Sequence, residues 1–221
     1  MVYAWIPYAV AACVLGSVPF GKLIAKRVAC IDITKHGSGN TGATNVAREL
    51  GLKWGLLTLV LDMLKGFVPV VLFACCASQA HSGSEVVLFA VGLCSLLGHQ
   101  FSIFQGLRGG KGVATAFGIY LGISPCARLA CLAALVLFIL TVHKWDFVSL
   151  GSMVSASAMP VLLALFGESQ AVVFGSLLVA ALICLKHREN IQRLVKGEER
   201  KWRNRSNQAS RSRSLSNSSS E

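Results

Sequence analysis

Seven apolar runs, at about 2–25, 54–77, 85–100, 111–124, 127–143, 147–166 and 170–186, occupy most of this chain of 221 residues. A full crossing of the hydrocarbon takes about 20 apolar helical residues, and shorter runs suffice only when tilted or partly embedded. The third and fourth runs are short, so five full spans with shorter helices competes with a count of seven. Only 14% of the residues are charged, against about 25% in a soluble domain. Such a chain cannot coat a water-soluble globule of its own size. The expected fold is an all-α integral membrane protein with about seven transmembrane helices. Residues 1–203 form one membrane domain, and the basic Ser-rich stretch 204–221 is expected to be disordered. The first run lacks a basic segment before it and ends in Pro-Phe-Gly-Lys, so it reads as a retained helix.

The formal net charge of +11 needs an explanation in so apolar a chain, and the placement of the cations supplies one. Lys22, Lys26, Arg27, Lys35, Arg48 and Lys53 surround the first connection, Arg108 and Lys111 the third, and Lys144 the fifth. Ten more basic residues lie in or beside the C-terminal segment. The second and sixth connections carry none, and the fourth has only Arg128. Seven crossings put every basic connection on one side. By the positive-inside rule the N-terminus is then outside, and the odd-numbered loops and the C-terminus are cytoplasmic. None of the eight cysteines has CxxC spacing, so they read as small buried hydrophobes rather than a metal or redox site.

Three polar segments on the basic side are too rich in glycine and hydrogen-bonding residues for simple connectors. Gly37-Ser38-Gly39-Asn40-Thr41-Gly42-Ala43-Thr44-Asn45-Val46-Ala47-Arg48 contains a G-x-G-x-x-G, but no βαβ unit surrounds it, which excludes dinucleotide binding. Its glycines permit close backbone approach to an anion, Ser38, Thr44 and Asn45 add donors, and Arg48 can grip a phosphate bidentately. A flexible polar loop is the alternative. The second segment runs from Gly98 through His99 and Arg108-Gly109-Gly110-Lys111-Gly112 to Thr115. Gln105 and Gly112 stand where a Walker loop needs Gly and Ser or Thr, so an NTPase site is rejected. An anion cradle at a helix start remains, with lipid-headgroup anchoring by Arg108 and Lys111 as its competitor. In the third, Lys186 to Glu199, helical spacing could aim His187 and Asn190 at one site, or the segment could be a snorkelling basic helix end. Three anion-binding loops together imply a substrate with several phosphates, or two phosphorylated substrates.

The segments SGNTGATNVAR, GHQFSIFQGLRGGKGVAT and KHRENIQRLVKGEE, in this order between apolar helices, resemble the three motifs of the bacterial acyl-phosphate:glycerol-3-phosphate acyltransferase family (PlsY). Two departures are Ser102, where that family often has Pro, and Arg108, where Lys is usual. The resemblance implies transfer of a fatty acyl group from acyl phosphate to the 1-hydroxyl of sn-glycerol 3-phosphate. The products would be 1-acylglycerol 3-phosphate and phosphate, the first step of phospholipid synthesis. It implies no metal or bound cofactor, no nucleic-acid partner, a bacterial inner-membrane location, and an upstream enzyme that makes acyl phosphate. Carried onto this chain, the catalytic candidates are Ser38, Arg48, Lys111, His187 and Asn190. Gly39, Asn40, Gly42, Thr44, Asn45, Gly109, Gly110, Gly112 and Ser149 are the substrate-binding candidates, with Ser152 as an alternative to Ser149.

Both reactants would be anions, so cations must offset their repulsion; Arg48 and Lys111 are assigned that task, and His187 and Asn190 the orientation of glycerol 3-phosphate. Phosphate is already a good leaving group. Direct attack by the glycerol hydroxyl, its proton passing to a substrate phosphate, is therefore expected. An acyl-Ser38 intermediate with His187 or His99 as base is the rival. Asp62 and Lys65, three apart inside the second run, are expected to be a paired structural couple facing the bundle, with Gly66 and Pro69 shaping a bend nearby. An organic-phosphate transporter would share the cationic sites but should show repeat symmetry. A non-catalytic scaffold would leave the Gly-rich loops unexplained.

Overall fold

The computed structural model describes residues 5–77 and 84–203. The Ser-rich stretch from Asn204 and most of the second connection therefore lie outside the described residues. All the regular structure described is helical: α1 (Ile6–Ser17), α2 (Phe20–Ala29), α3 (Ala43–Leu50), α4 (Leu52–Ala77), α5 (Ser84–Gln100), α6 (Val113–Ile123), α7 (Pro125–Trp145), α8 (Val148–Leu165), α9 (Gln170–Lys186) and α10 (Arg188–Val195), with two short 3-10 turns. Each of the seven apolar runs contains helix. Five stretches are long and apolar enough to cross a membrane, or six if α9 and α10, which meet at 59°, are one broken span. With its 11 residues, α6 covers about 17 Å at 1.5 Å per residue, short of a hydrocarbon layer of about 30 Å.

Proline accounts for the interruption of the first span. Val18 is pushed to an extended conformation (φ −61°, ψ 119°) before Pro19, as pre-proline sterics require. The backbone groups this frees are met from elsewhere in the bundle: Lys65 Nζ of α4 donates to Val18 O at 3.0 Å, and Ser102 Oγ, just after α5, donates to Ser17 O. Pro69 acts differently. α4 continues through it, but its missing N–H would orphan the carbonyl of Lys65 one turn earlier. Ser95 Oγ on α5 donates to that oxygen. The Asp62–Lys65 couple is paired as expected, with Oδ1 and Nζ 3.0 Å apart and both residues buried.

Glycine sets how closely the central helices pack. A Cβ on Gly16 of α1 would collide with Ser95 O of α5, and one on Gly98 of α5 with Cys13 O of α1. The pair α4 and α6 repeats the device with Gly66 against Thr115 O and Gly118 against Met63 O. Small residues that let backbones touch replace the hydrophobic drive that lipid cannot supply. Gly66 thus packs helices together. Leu96, Ile119, Val70, Val91 and Leu163 fill the buried centre, while Leu132, Val136, Ile139 and Leu140 of α7 stay exposed, as a lipid-facing helix requires. All eight cysteines are free thiols. A small second core of Ala25, Ile33 and Val46, flanked by Leu50 and Trp54, seats α2 and α3 beside the polar end of the bundle.

Candidate active site

The three polar segments meet at that end. Lys111, between α5 and α6, donates from Nζ to Asn190 Oδ1 on α10. Asn190 passes the link on, its Nδ2 donating to Glu199 Oε1 at 2.6 Å. The same oxygen accepts from Ser149 Oγ at the start of α8 at 2.6 Å, and Arg193 Nε donates to Glu199 Oε2 at 2.8 Å. Five side chains from four parts of the chain thus form one network. Ser152, the alternative to Ser149, instead bonds back to Val148 O of its own helix.

Charge follows from burial and these contacts. Burial pushes the Lys111 ammonium down to about 8, and the neighbouring positive charges of Arg193 and Arg48 help, against the opposing charges of Glu199 and Glu189. Burial works against ionisation of Glu199 too. Hydrogen bonds from Ser149, Arg193 and Asn190 outweigh it and hold the carboxyl below its ordinary value. His187, at the bend between α9 and α10, is buried. Burial and the Lys111 charge push its imidazolium down to about 4, so the ring is neutral near pH 7. Its Nδ1 lies 2.8 Å from Ile183 O. A carbonyl can only accept, so Nδ1 carries the hydrogen and Nε2 is left as an acceptor.

The first motif is built around Asn45, which is buried on the first turn of α3. Its Oδ1 accepts from Ser38 N at 3.0 Å, and its Nδ2 donates to Asn40 O at 2.9 Å, His36 O at 3.0 Å and Ile33 O at 3.4 Å. Asn40 Oδ1 in turn accepts from Gly42 N at 2.9 Å. The two asparagine side chains are therefore engaged in shaping the loop. Gly37 and Gly39 take left-handed conformations (φ 62° and 70°), which glycine adopts without a steric penalty. Ser38 sits exposed on this loop and Thr44 half-buried at the head of α3. Arg48, at the far end of α3, reaches the residue just beyond the third motif, Nη2 donating to Arg200 O at 3.1 Å. The Ser38 hydroxyl is not joined to the Lys111 network.

Glycines of the second motif approach protein rather than open space. A Cβ on Gly109 would strike His99 O, and one on Gly110 the His99 ring, while Gly110 N donates to His99 O at 3.1 Å. Gly112 caps α6 in a left-handed conformation (φ 86°) against Leu96. Gln100 Nε2 donates to Lys111 O at 2.9 Å and Lys186 Nζ donates to Gln100 O. The loop is thereby locked onto the end of α5, which fixes where the Lys111 side chain starts. While one side of the His99 ring meets Gly110, its Nδ1 lies 3.8 Å from Asp62 Oδ1. Glu199 and Arg193 were not legible as site residues: nothing in the sequence distinguishes Glu199 from its neighbour Glu198 as the acid that would sit under three donors.

The chain is similar to known proteins along most of its length. The family described as glycerol-3-phosphate acyltransferase matches residues 6–197. A glycerol-3-phosphate acyltransferase of Geotalea daltonii is 46% identical over 190 residues, covering 86% of this chain and 93% of that relative. One from Geobacter sulfurreducens is 44% identical over 192 residues, 87% and 94% of the two chains. The crystal structure of PlsY (YgiH), an integral membrane glycerol 3-phosphate acyltransferase in its glycerol 3-phosphate form, superposes with a TM-score of 0.82 at 37% identity, over 90% of this chain and 96% of that one. Its lysophosphatidic acid form gives a TM-score of 0.78 at the same identity, over 90% and 95%.

Proposed function

The chain belongs to the PlsY family of glycerol-3-phosphate acyltransferases, and from that premise we propose that it takes its acyl group from acyl phosphate and delivers it to the 1-hydroxyl of sn-glycerol 3-phosphate. The products are lysophosphatidic acid and phosphate. One observation carries the reading: Lys111, Asn190, Ser149 and Arg193 are joined through Glu199, close enough to Arg48 for its charge to act on Lys111. A cationic site with directed donors suits two phosphorylated reactants.

The reaction asks for positioning and charge compensation more than for a strong base. Glycerol 3-phosphate is close to a dianion near neutral pH, since phosphate monoesters have a second pKa of about 6. Bringing it beside an anionic acyl phosphate is repulsive unless cations intervene. Arg48 and Lys111 supply them. Neutral His187 offers Nε2 to accept from a glycerol hydroxyl, and Asn190 beside it orients the same molecule. The hydroxyl oxygen attacks the acyl carbonyl, the carbon–oxygen bond to phosphate breaks, and the hydroxyl proton passes to a substrate phosphate. That base has a pKa close to working pH, where general-base catalysis is most efficient. Cations around the carbonyl stabilise the oxyanion. Ser38, on the neighbouring loop, is assigned to substrate phosphate. The basic charge of the connections beside the site supports a position on the cytoplasmic face of a bacterial inner membrane, where an enzyme that makes acyl phosphate would supply the donor.

The test is purified protein with acyl phosphate and labelled glycerol 3-phosphate. Labelled lysophosphatidic acid and one phosphate per turnover are expected, and Lys111→Ala and Arg48→Ala each lose roughly a hundredfold or more, the scale for removing a preorganised transition-state donor. Absence of product from the unaltered protein overturns the enzyme reading. An acylated Ser38 peptide formed with acyl phosphate alone overturns direct attack.

A further inference from the structure

Beyond α10 the chain turns back over the site as a strap, Glu199 to Arg203, fixed at both ends. Glu199 holds its start on Ser149, Asn190 and Arg193. Its other end is held by Asp146, which closes α7 in a left-handed conformation (φ 65°). Trp202 N donates to Asp146 O at 2.9 Å, and Arg203 N donates to Asp146 Oδ1 at 3.1 Å. Arg203 Nη2 also donates to His143 O at 3.1 Å. Between the two anchorages the strap meets Arg48: Arg200 O accepts from Nη2, and the guanidinium carbon lies 6.0 Å from the centroid of the Trp202 ring.

We infer that Trp202 is a positioning residue for the acyl transfer, holding the Arg48 guanidinium in place through a strap that Asp146 anchors. The inference rests on the proposed reaction. An arginine side chain carries about 2 kcal/mol of rotamer entropy, and Arg48 projects from the last turn of a short helix. Left alone it would sample many orientations, and a substrate phosphate would have to collect it on binding. The Trp202 face and the Arg200 carbonyl restrict it beforehand, from opposite chemistries: ring quadrupole to cation, and carbonyl to N–H. Both contacts hold the guanidinium by its plane and by an N–H without neutralising its charge, which is left to act on a phosphate.

The expected signature is in KM. Trp202→Ala should raise KM for one of the two anionic substrates about tenfold while kcat stays within about threefold, because the Arg48 charge is still present but no longer preplaced. Trp202→Phe, which retains an aromatic face, should recover most of that loss. Asp146→Ala, which loosens the anchorage without touching Arg48, should raise the same KM by a smaller factor. Size-exclusion profiles in detergent check integrity, and if Trp202→Ala does not yield folded protein, Trp202→Phe and Asp146→Ala carry the comparison: a rise in KM for Asp146→Ala with Trp202→Phe near the unaltered protein supports the assignment. Active unaltered protein whose variants shift neither KM overturns the positioning role and leaves acyl transfer standing. So does Trp202→Phe being as impaired as Trp202→Ala. Inactive unaltered protein overturns the reaction itself.

Discussion

At the scale of single residues, the site combines groups whose ionisation differs from their behaviour in water. Lys111 is held down to about 8 by burial, so its ammonium is intact at pH 7 and is lost as pH rises through that value. Substrate phosphates have completed their second ionisation by about pH 7.5, so they do not obscure the effect. The basic limb of kcat/KM is expected to fall with a midpoint near 8 and a slope of one, and Lys111→Arg should remove that limb while lowering the plateau, since arginine stays charged. A limb unchanged in the arginine variant would assign it to another group. Glu199 is a second case. It accepts from Ser149, Asn190 and Arg193, and truncation would leave two buried donors, Ser149 and Asn190, and the half-exposed Arg193 guanidinium without their acceptor. Glu199→Ala should therefore cost more than Glu199→Gln, by about 1–3 kcal/mol for each donor left unsatisfied, read as thermal stability in detergent.

At the scale of elements, glycine and asparagine do construction work that their motifs do not advertise. Sequence shows where a Cβ is disfavoured but not which neighbour excludes it. That is why Gly109 and Gly110 read as an anion cradle, whereas the neighbours they meet are the carbonyl and ring of His99. Asn45 raised the same ambiguity: a carboxamide in a Gly-rich loop suggests a ligand donor, yet it serves four backbone groups of that loop. What was legible was the outcome, a rigid loop at a helix start. Gly109→Ala should displace the loop from α5 at a cost of about 1–3 kcal/mol, as overpacking does. It should lower the melting temperature and also raise KM, because Lys111 leaves the same loop. A loss of stability with unchanged KM would show that the loop's backbone does not set the position of Lys111.

At the scale of the whole molecule, seven apolar runs were legible because lipid demands length and apolarity from every crossing helix. The breaks were less so. Pro19 and Pro69 look alike in sequence, yet the helix ends before the first and continues through the second, and the carbonyls freed beside them are met by Lys65 and Ser95. The short α6 carries the largest consequence. Lys111 precedes it at the polar end, and α7 runs back to Asp146, whose backbone meets the strap at that same end. α6 must therefore lead the chain away from the site, although 11 residues are few for a crossing. If the basic connections are cytoplasmic, the start of α7 is outside, and so is the start of α9. Because all eight cysteines are free, replacing them breaks no disulfide, and single cysteines can report sidedness. In spheroplasts, a membrane-impermeant maleimide should label Arg128→Cys and Gln170→Cys directly, but Lys196→Cys only after permeabilisation. Labelling of Gln170→Cys without Arg128→Cys would mean that α6 stops within the membrane. The reverse sidedness at Lys196 would put the Lys111 network outside, and a donor made in the cytoplasm could not then reach it.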